Sequence, residues 1–164
     1  MKKITDEISL RPLQPDEENY WREVFYDSVG GRFSALGMSG EQLNSLLEFQ
    51  FQAQNTDYRA NYKKASNDVI LFNDERAGRV IYSTEHSDLH IVDLAVLSGF
   101  RNRGISTKIL QWFFEQSRQS GLPVRLYVEK LNPALKLYER LGFKIAADVN
   151  SHFQLEWRAS EQKA

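Results

Sequence analysis

The stretch AVLSGFRNRGISTKIL, Ala95 to Leu110, changes its hydrophobic period at Gly104. The apolar run from Leu89 to Leu97 reads as a strand. Beyond Gly104, Ile105, Ile109, Leu110, Phe113 and Phe114 recur at helical spacing until Gly121 and Pro123 stop them. A strand that enters a helix through a glycine-containing turn leaves backbone N–H groups without intrahelical acceptors at the helix mouth, where the helix dipole also favours negative charge. Gly104 lets an anion approach the backbone closely, and Arg101, Arg103 and Lys108 place cations around it. The turn therefore reads as a phosphate cradle, although a cationic surface turn has the same composition. Neither G-x-x-x-x-G-K-[ST] nor G-x-G-x-x-G is present to offer another phosphate motif.

Working outward, Glu7 to Leu13 reads as a first strand ended by proline. Pro15 opens a helix with Asp16, Glu17 and Glu18 in its first turn and Tyr20, Trp21, Val24 and Phe25 on one face. Gly30, Gly31 and Gly37 predict a loop. Ser39 and Gln42 then have capping-box spacing for a second helix, with Leu43, Leu46, Leu47 and Phe51 inward and Gln50, Gln52 and Gln54 on a solvated face. Val69–Phe72 and Arg79–Thr84 read as a hairpin split by Asn73, Asp74 and Gly78. Past the third helix, Val124–Val128 is a strand. Asn132 caps a helix with Pro133 at its start and Gly142 at its end, and Phe143–Ala147 and Phe153–Trp157 form a last antiparallel pair. This order predicts an α/β (α+β mixed) fold, its central sheet flanked by helices, in one domain over residues 1–164.

Composition narrows the function. A net charge of −1 gives no global attraction to nucleic acid or to an anionic membrane, so contact with a polyanion must be local. With no cysteine there is no disulfide framework and no thiolate nucleophile, which excludes a cysteine acyl-enzyme. The opening MKKITDEISL places Asp6 and Glu7 where a signal peptide needs an apolar run, and the expectation is a cytoplasmic protein.

Taken together, DLAVLSGFRNRGISTKIL and VRLYVEKLNPALKLYERLGF resemble the GNAT superfamily of N-acetyltransferases over about Asp88 to Phe143. The first segment carries the family's [QR]-x-x-G-x-[GA] loop as Arg101, Gly104 and Ser106, with serine in place of the final glycine or alanine. The second carries a slightly shifted form of N-x-x-A-x-x-L-Y-x-x-x-G-F as Asn132, Ala134, Leu137, Tyr138, Gly142 and Phe143. The resemblance implies a mostly antiparallel sheet of about seven strands with about four helices. It also implies acetyl-CoA as cosubstrate. Within the cofactor-binding turn Arg101, Asn102, Arg103, Gly104, Ile105, Ser106 and Thr107, the pyrophosphate would lie on the amides of about Arg103 to Thr107, and the pantetheine arm along Leu94, Ala95 and Val96, with Asn132 and Lys136 nearby. Strands Asp93–Leu97 and Val124–Val128 would splay apart around the thioester, and a backbone N–H near Leu94 or Ala95 would polarise its carbonyl.

The implied reaction is direct attack by a primary amine. A lysine-like amine at pH 7 is neutral only about once in 2,500 molecules, a cost of roughly 4.6 kcal/mol that a base or a desolvating pocket must offset. Family members often carry a glutamate where Val92 stands. Strand alternation puts His90, Val92, Leu94 and Val96 on one face and Asp93 on the other, making His90 the leading base, with Asp93, Glu129 or water as alternatives. Tyr138 matches the family tyrosine that protonates the departing thiolate; otherwise it is a core tyrosine between helix and sheet.

The expected acceptor is a primary amine of a small molecule or peptide, received between roughly 28–62 and 148–153, where Arg32, Phe33, Gln50, Gln54, Tyr58 and His152 stand. Nucleic acid and membrane are not expected as partners, and exposed aromatics leave a homodimer open. The absent strand glutamate also allows a catalytically silent coenzyme A-binding regulatory module, and the loop alone allows a protein that binds another phosphate.

Overall fold

The computed structural model describes residues 1–38 and 40–162. The expected Ser39 cap lies outside the described residues, as does the side chain of Arg32. Eight strands form one sheet in the order β1-β2-β3-β4-β5-β6-β8-β7. They are β1 (Lys2–Lys3), β2 (Ile8–Pro12), β3 (Ser66–Phe72), β4 (Glu75–Ser83), β5 (Leu89–Val96), β6 (Val124–Glu129), β7 (Lys144–Val149) and β8 (His152–Trp157). The sequence reading lacks only β1, whose two exposed lysines carry no strand pattern. All neighbours pair antiparallel except β5 and β6, which run parallel.

Four α-helices cover the sheet: α1 (Glu18–Ala35), α2 (Gly40–Asn61), α3 (Ile105–Ser120) and α4 (Leu135–Arg140). On one face Tyr20, Trp21, Val24 and Phe25 of α1 and Phe51 of α2 pack on Val69, Leu71 and Ile81. On the other, Ile105, Ile109, Leu110, Phe113 and Phe114 of α3 pack on Ile70, Val80, Ile91 and Leu126, and the Phe114 ring stacks on Trp157 at 4.1 Å. Each large apolar side chain buried in this way contributes about 1.5–3 kcal/mol.

Three local departures from the sequence reading have physical causes. Pro15 and Asp16 form a turn, and the helix begins only at Glu18, because the Glu17 carboxylate is held by Arg11 at 2.7 and 2.8 Å and accepts the Gln14 N–H at 2.8 Å. Gly30 and Gly31 lie within α1 rather than in a loop. Glycine costs about 1 kcal/mol inside a helix; here Val29 packing on the α1–α2 core and Asp27 bonding to Ser98 hold the segment helical. Gly78 belongs to β4 rather than the hairpin turn, where Asn73 and Asp74 alone take positive φ, of 49° and 67°. A Cβ on Gly78 would lie 2.1 Å from the Ala95 carbonyl oxygen, so this glycine lets β4 and β5 approach.

Candidate active site

The strand pair at the centre of the sheet opens like a fork. β5 and β6 pair only at Leu89–Val124, His90–Arg125 and Ile91–Leu126. Just beyond, the register of β4 against β5 slips, with Ile81 opposite Asp93 and Tyr82 opposite Ile91, so that Val92 is an extra residue bulged out of the ladder. The bulge ends the pairing and re-aims the strand.

It also corrects the expected alternation. Leu94 and Val96 pack on the α3 side of the sheet, whereas Val92 and Ala95 pack on the α1–α2 side. Asp93 does not oppose His90, because its carboxylate accepts Arg79 Nε at 2.6 Å, and the same guanidinium reaches Gln54 of α2 at 2.8 Å. Gln54 is thus an internal acceptor and not part of a solvated face. Arg79 is 1% exposed and lies over the Trp21 ring, with its centre 5.1 Å from the centroid. Asp93 thus anchors the buried Arg79 guanidinium.

The fork leads into a cleft of about 630 Å³ that brings together His90, Asp93, Glu129, Asn132, Tyr138 and Ser106, with Leu94, Ala95 and Val96 along its wall. Tyr138 reaches it from α4 and meets Phe143 edge-on at 5.6 Å. Its hydroxyl makes no hydrogen bond to another described residue. Burial, with the nearby Asp93 charge, pushes its pKa up to about 12, so the phenol keeps its proton.

His90 is buried at the closed end of the fork. Its ring stacks on Tyr62 at 5.3 Å and meets Tyr127 at 5.5 Å, and Nε2 lies 3.2 Å from the Tyr62 hydroxyl. Nδ1 faces Asp88 Oδ2 at 3.8 Å. Burial lowers the His90 pKa, while the Asp88 charge works against that shift. The imidazole is therefore neutral near pH 7 and able to take a proton.

At the other end of the cleft, Gly104 takes φ 75° and no side chain caps α3. The first intrahelical bond from this turn is Lys108 N–H to Gly104 O at 3.0 Å, which leaves the amides of Ile105, Ser106 and Thr107 directed out of the helix mouth. Nothing lies within 4 Å of a Cβ placed on Gly104, so the approach to these amides is open. Ser106 lines the cleft, while Ile105 is 2% exposed and offers only its amide because its side chain is core.

The cations are arranged differently from the expected ring around an anion. Arg101 donates to Asp27 Oδ2 at 3.1 Å and to the Val96 carbonyl at 3.2 Å, and Arg103 lies over the Phe72 and Phe100 rings at 5.5 and 5.4 Å. Asp27 also accepts the Ser98 amide at 3.0 Å and hydroxyl at 2.7 Å, tying the turn to α1. Asn102, with φ 64°, shapes the turn, and Lys136 is exposed on α4 outside the cleft wall. Asn132 Oδ1 accepts the Ala134 amide at 2.9 Å within the turn before α4; the helix begins only at Leu135, with Ala134 and not Asn132 at its cap position and Pro133 in the preceding turn.

Sequence reading missed Asp27, Tyr62 and Arg79. An arginine inside an apolar strand run, one strand away from Asp93, was a usable sign of a buried pair. Asp27 and Tyr62 carry no local sign, since tertiary packing alone brings them to the cleft.

An uncapped helix mouth lies beside a forked sheet, with a protonated phenol and a neutral imidazole along the gap, an arrangement chemically suited to hold an anion and to move a proton. The model of the acetyltransferase (GNAT) family matches residues 40–143, and the chain belongs to that family. No curated protein matches by sequence. Solved structures with the same fold include the PaiA N-acetyltransferase of Thermoplasma acidophilum in complex with coenzyme A, 17% identical, covering 92% of this chain and 98% of that one with a TM-score of 0.67. A GNAT acetyltransferase of Elizabethkingia anophelis with acetyl-CoA bound is 15% identical, covering 94% and 99% at a TM-score of 0.58. A Salmonella typhimurium acetyltransferase that modifies the N-terminal serine of ribosomal protein L7/L12 is 14% identical, covering 94% of each chain at 0.58. No helix among the described residues is long and apolar enough to cross a membrane.

Proposed function

We propose that this chain, as a single domain, transfers an acetyl group from acetyl-CoA directly to a primary amine of a small molecule or peptide. The carrying observation is that the uncapped mouth of α3 and the free hydroxyl of Tyr138 open into one cleft. The residues present fit the coenzyme: open space beside Gly104 admits a diphosphate, and the unpaired edge of β5 beyond Ile91 accepts an extended arm as an added strand. Solved relatives with this fold carry coenzyme A or acetyl-CoA. When bound, acetyl-CoA supplies the activated acyl group.

The chain's own residues supply position and proton transfer. The amides of Ile105, Ser106 and Thr107 hold the diphosphate, with Arg101 kept in place by Asp27. A backbone N–H at Leu94 or Ala95 donates to the thioester oxygen. Tyr138 gives its proton to the departing sulfur, and His90 receives the amine proton directly or through water, with Glu129 on the same cleft wall as the alternative acceptor. Transfer to a protein N-terminus is the activity described for the Salmonella relative, which supports a peptide amine as one acceptor class.

The test is a thermal-shift series with acetyl-CoA, coenzyme A and longer acyl-CoAs, followed by thiol release against an amine panel. Ligand at 100 times its Kd stabilises by about 2.7 kcal/mol. Binding of acetyl-CoA with thiol release that depends on an amine is the expected result. Absence of acetyl-CoA binding overturns the assignment, and binding without transfer to any amine replaces it with a silent coenzyme-binding module.

A further inference from the structure

The two nitrogens of His90 face different partners. Nε2 stands 3.2 Å from the Tyr62 hydroxyl, and Nδ1 faces Asp88 at 3.8 Å. The residue is 7% exposed, with Tyr62 lying along its ring at 5.3 Å and Tyr127 against it at 5.5 Å. Tyr62 is the half-buried member of this pair on the cleft wall, held just past the end of α2 by its own N–H to the Tyr58 carbonyl at 2.8 Å. A neutral imidazole accepts at one nitrogen only. The Tyr62 hydroxyl already takes the hydrogen-bonding position at Nε2, so a proton that enters there from the cleft crosses that hydroxyl.

Asp88 sets the direction. It is 7% exposed, and its cationic neighbours, His90 Nδ1 and Arg125 Nη1, both stand at 3.8 Å, beyond hydrogen-bond length. Its Oδ1 is buried and has no hydrogen-bond partner among the described residues. A buried carboxylate oxygen without a donor is costly to keep, and the neutral ring relieves it best with its proton on Nδ1, toward the anion. Nε2 then carries the lone pair, and the Tyr62 hydroxyl donates to it. Burial raises the Tyr62 pKa and keeps that proton on oxygen at rest. Among the charged groups that act on the ring, Asp88 favours a proton on His90, whereas His86 and Arg125 oppose it.

We propose that Tyr62 is a further catalytic residue, which touches the amine and passes its proton to His90 Nε2, with Asp88 as the positioning residue that holds the imidazole in the required tautomer. This rests on the transfer reaction proposed above, and the Tyr62 hydroxyl fills the place of an intervening water. As the amine nitrogen bonds to the acyl carbon, its N–H bond breaks toward Tyr62 Oη and the Tyr62 O–H bond breaks toward Nε2, each electron pair staying on the heavier atom. Tyr62 ends as it began, a neutral phenol. The carbon–sulfur bond breaks with its pair on sulfur, which takes the Tyr138 proton. His90 gains one proton as Tyr138 loses one, and exchange with water resets both.

Two measurements on the full chain test this. Nitrogen-15 NMR of the histidine side chains, with His90 assigned by its loss in His90→Gln, reads the tautomer with neither coenzyme nor acceptor present. A neutral His90 protonated on Nδ1 is expected; a proton on Nε2 overturns the relay whatever the reaction. The second is steady-state kinetics with acetyl-CoA and an amine, in variants first shown to melt cooperatively. Tyr62→Phe lowers kcat ten-fold or more, keeps the KM for acetyl-CoA within two-fold and retains an acid-side fall in kcat/KM. In the His90→Gln background the same change costs less than two-fold, because groups that act as one unit are not additive. Asp88→Asn moves the acid-side fall to lower pH, since the imidazolium loses its anion. Unchanged kcat in Tyr62→Phe, or losses that multiply in the double variant, overturn the relay while acetyl transfer stands. An unmoved fall in Asp88→Asn removes Asp88 as the positioning residue. A parent that transfers to no amine overturns the transfer reading and the relay together.

Discussion

The Tyr62 ring lies parallel to that of His90, 11° from coplanar, and its hydroxyl stands 3.2 Å from Nε2. The imidazole is thus clamped on its face and at its edge, with Asp88 opposite the other nitrogen. His86 and Arg125 add positive charge that reinforces the lowering by burial. If His90 receives the amine proton, kcat/KM of the parent falls on the acid side at a pH below the ordinary histidine value of about 6.5. His90→Gln lowers kcat and abolishes that acid-side fall. Tyr62→Phe, which keeps the stack and deletes the hydroxyl, moves the fall without abolishing it. A full acid limb in His90→Gln assigns the base elsewhere, with Glu129 next.

The same histidine links stability to acidity. Its folded pKa lies below its unfolded value, so the unfolded chain binds the extra proton first as pH drops. The contribution is complete above about 6.5 and is lost as pH falls from there through the folded pKa. Thermal midpoints of the parent decline across that window, and His90→Gln flattens this part of the curve. A second decline belongs to Glu17 and Glu48, each lowered to about 2, Glu17 first by its hydrogen bond with Arg11 and Glu48 first by that with Arg22. It begins near the ordinary glutamate value and proceeds toward pH 2.

Tyr138→Phe lowers turnover ten-fold or more at nearly unchanged affinity for acetyl-CoA, read by steady-state kinetics beside calorimetry. Because burial holds the phenol up to about 12, the parent shows no alkaline loss from this group below pH 10. Unchanged turnover in the phenylalanine variant removes Tyr138 as the acid.

Gly104→Glu places a carboxylate where the diphosphate belongs. The space around a Cβ there is empty, so the fold survives apart from the strain of a positive φ, about 1–2 kcal/mol. Circular dichroism and melting show a folded protein, while coenzyme binding is lost by calorimetry.

Asp93→Ala leaves the Arg79 guanidinium, 1% exposed, without its carboxylate. Removal of one member of a buried pair costs about 3–5 kcal/mol. Equilibrium denaturation measures this directly, and a loss under 1 kcal/mol means that Gln54 and the Trp21 ring hold the cation by themselves.

Much of the architecture is legible in the chain because it is local. Period changes at Gly104 and after Val128, the αL-prone Asn73-Asp74 turn and the turn closed by Asn132 are all written within a few residues of where they act. The turn proposed for the phosphate and the tyrosine proposed as the acid fall under the same heading. What escapes is whatever depends on count rather than type. Nothing in LHIVDLAV marks Val92 as the surplus residue, so strict alternation sent Asp93 to the wrong side and left Leu94 and Val96 beside His90. The restraint on Arg101 is not legible near it, because Asp27 lies 74 residues away on α1.

The extra residue at Val92 has a consequence for how this protein tolerates change. A swap of one aliphatic for another along that strand alters volume slightly and leaves the fork open. Deletion of a single residue there takes the surplus residue out of the β4–β5 ladder and turns every side chain beyond it to the opposite face of the sheet, with hydropathy and core composition almost untouched. For this enzyme the arithmetic of one strand, more than its chemistry, decides whether there is room for a reaction.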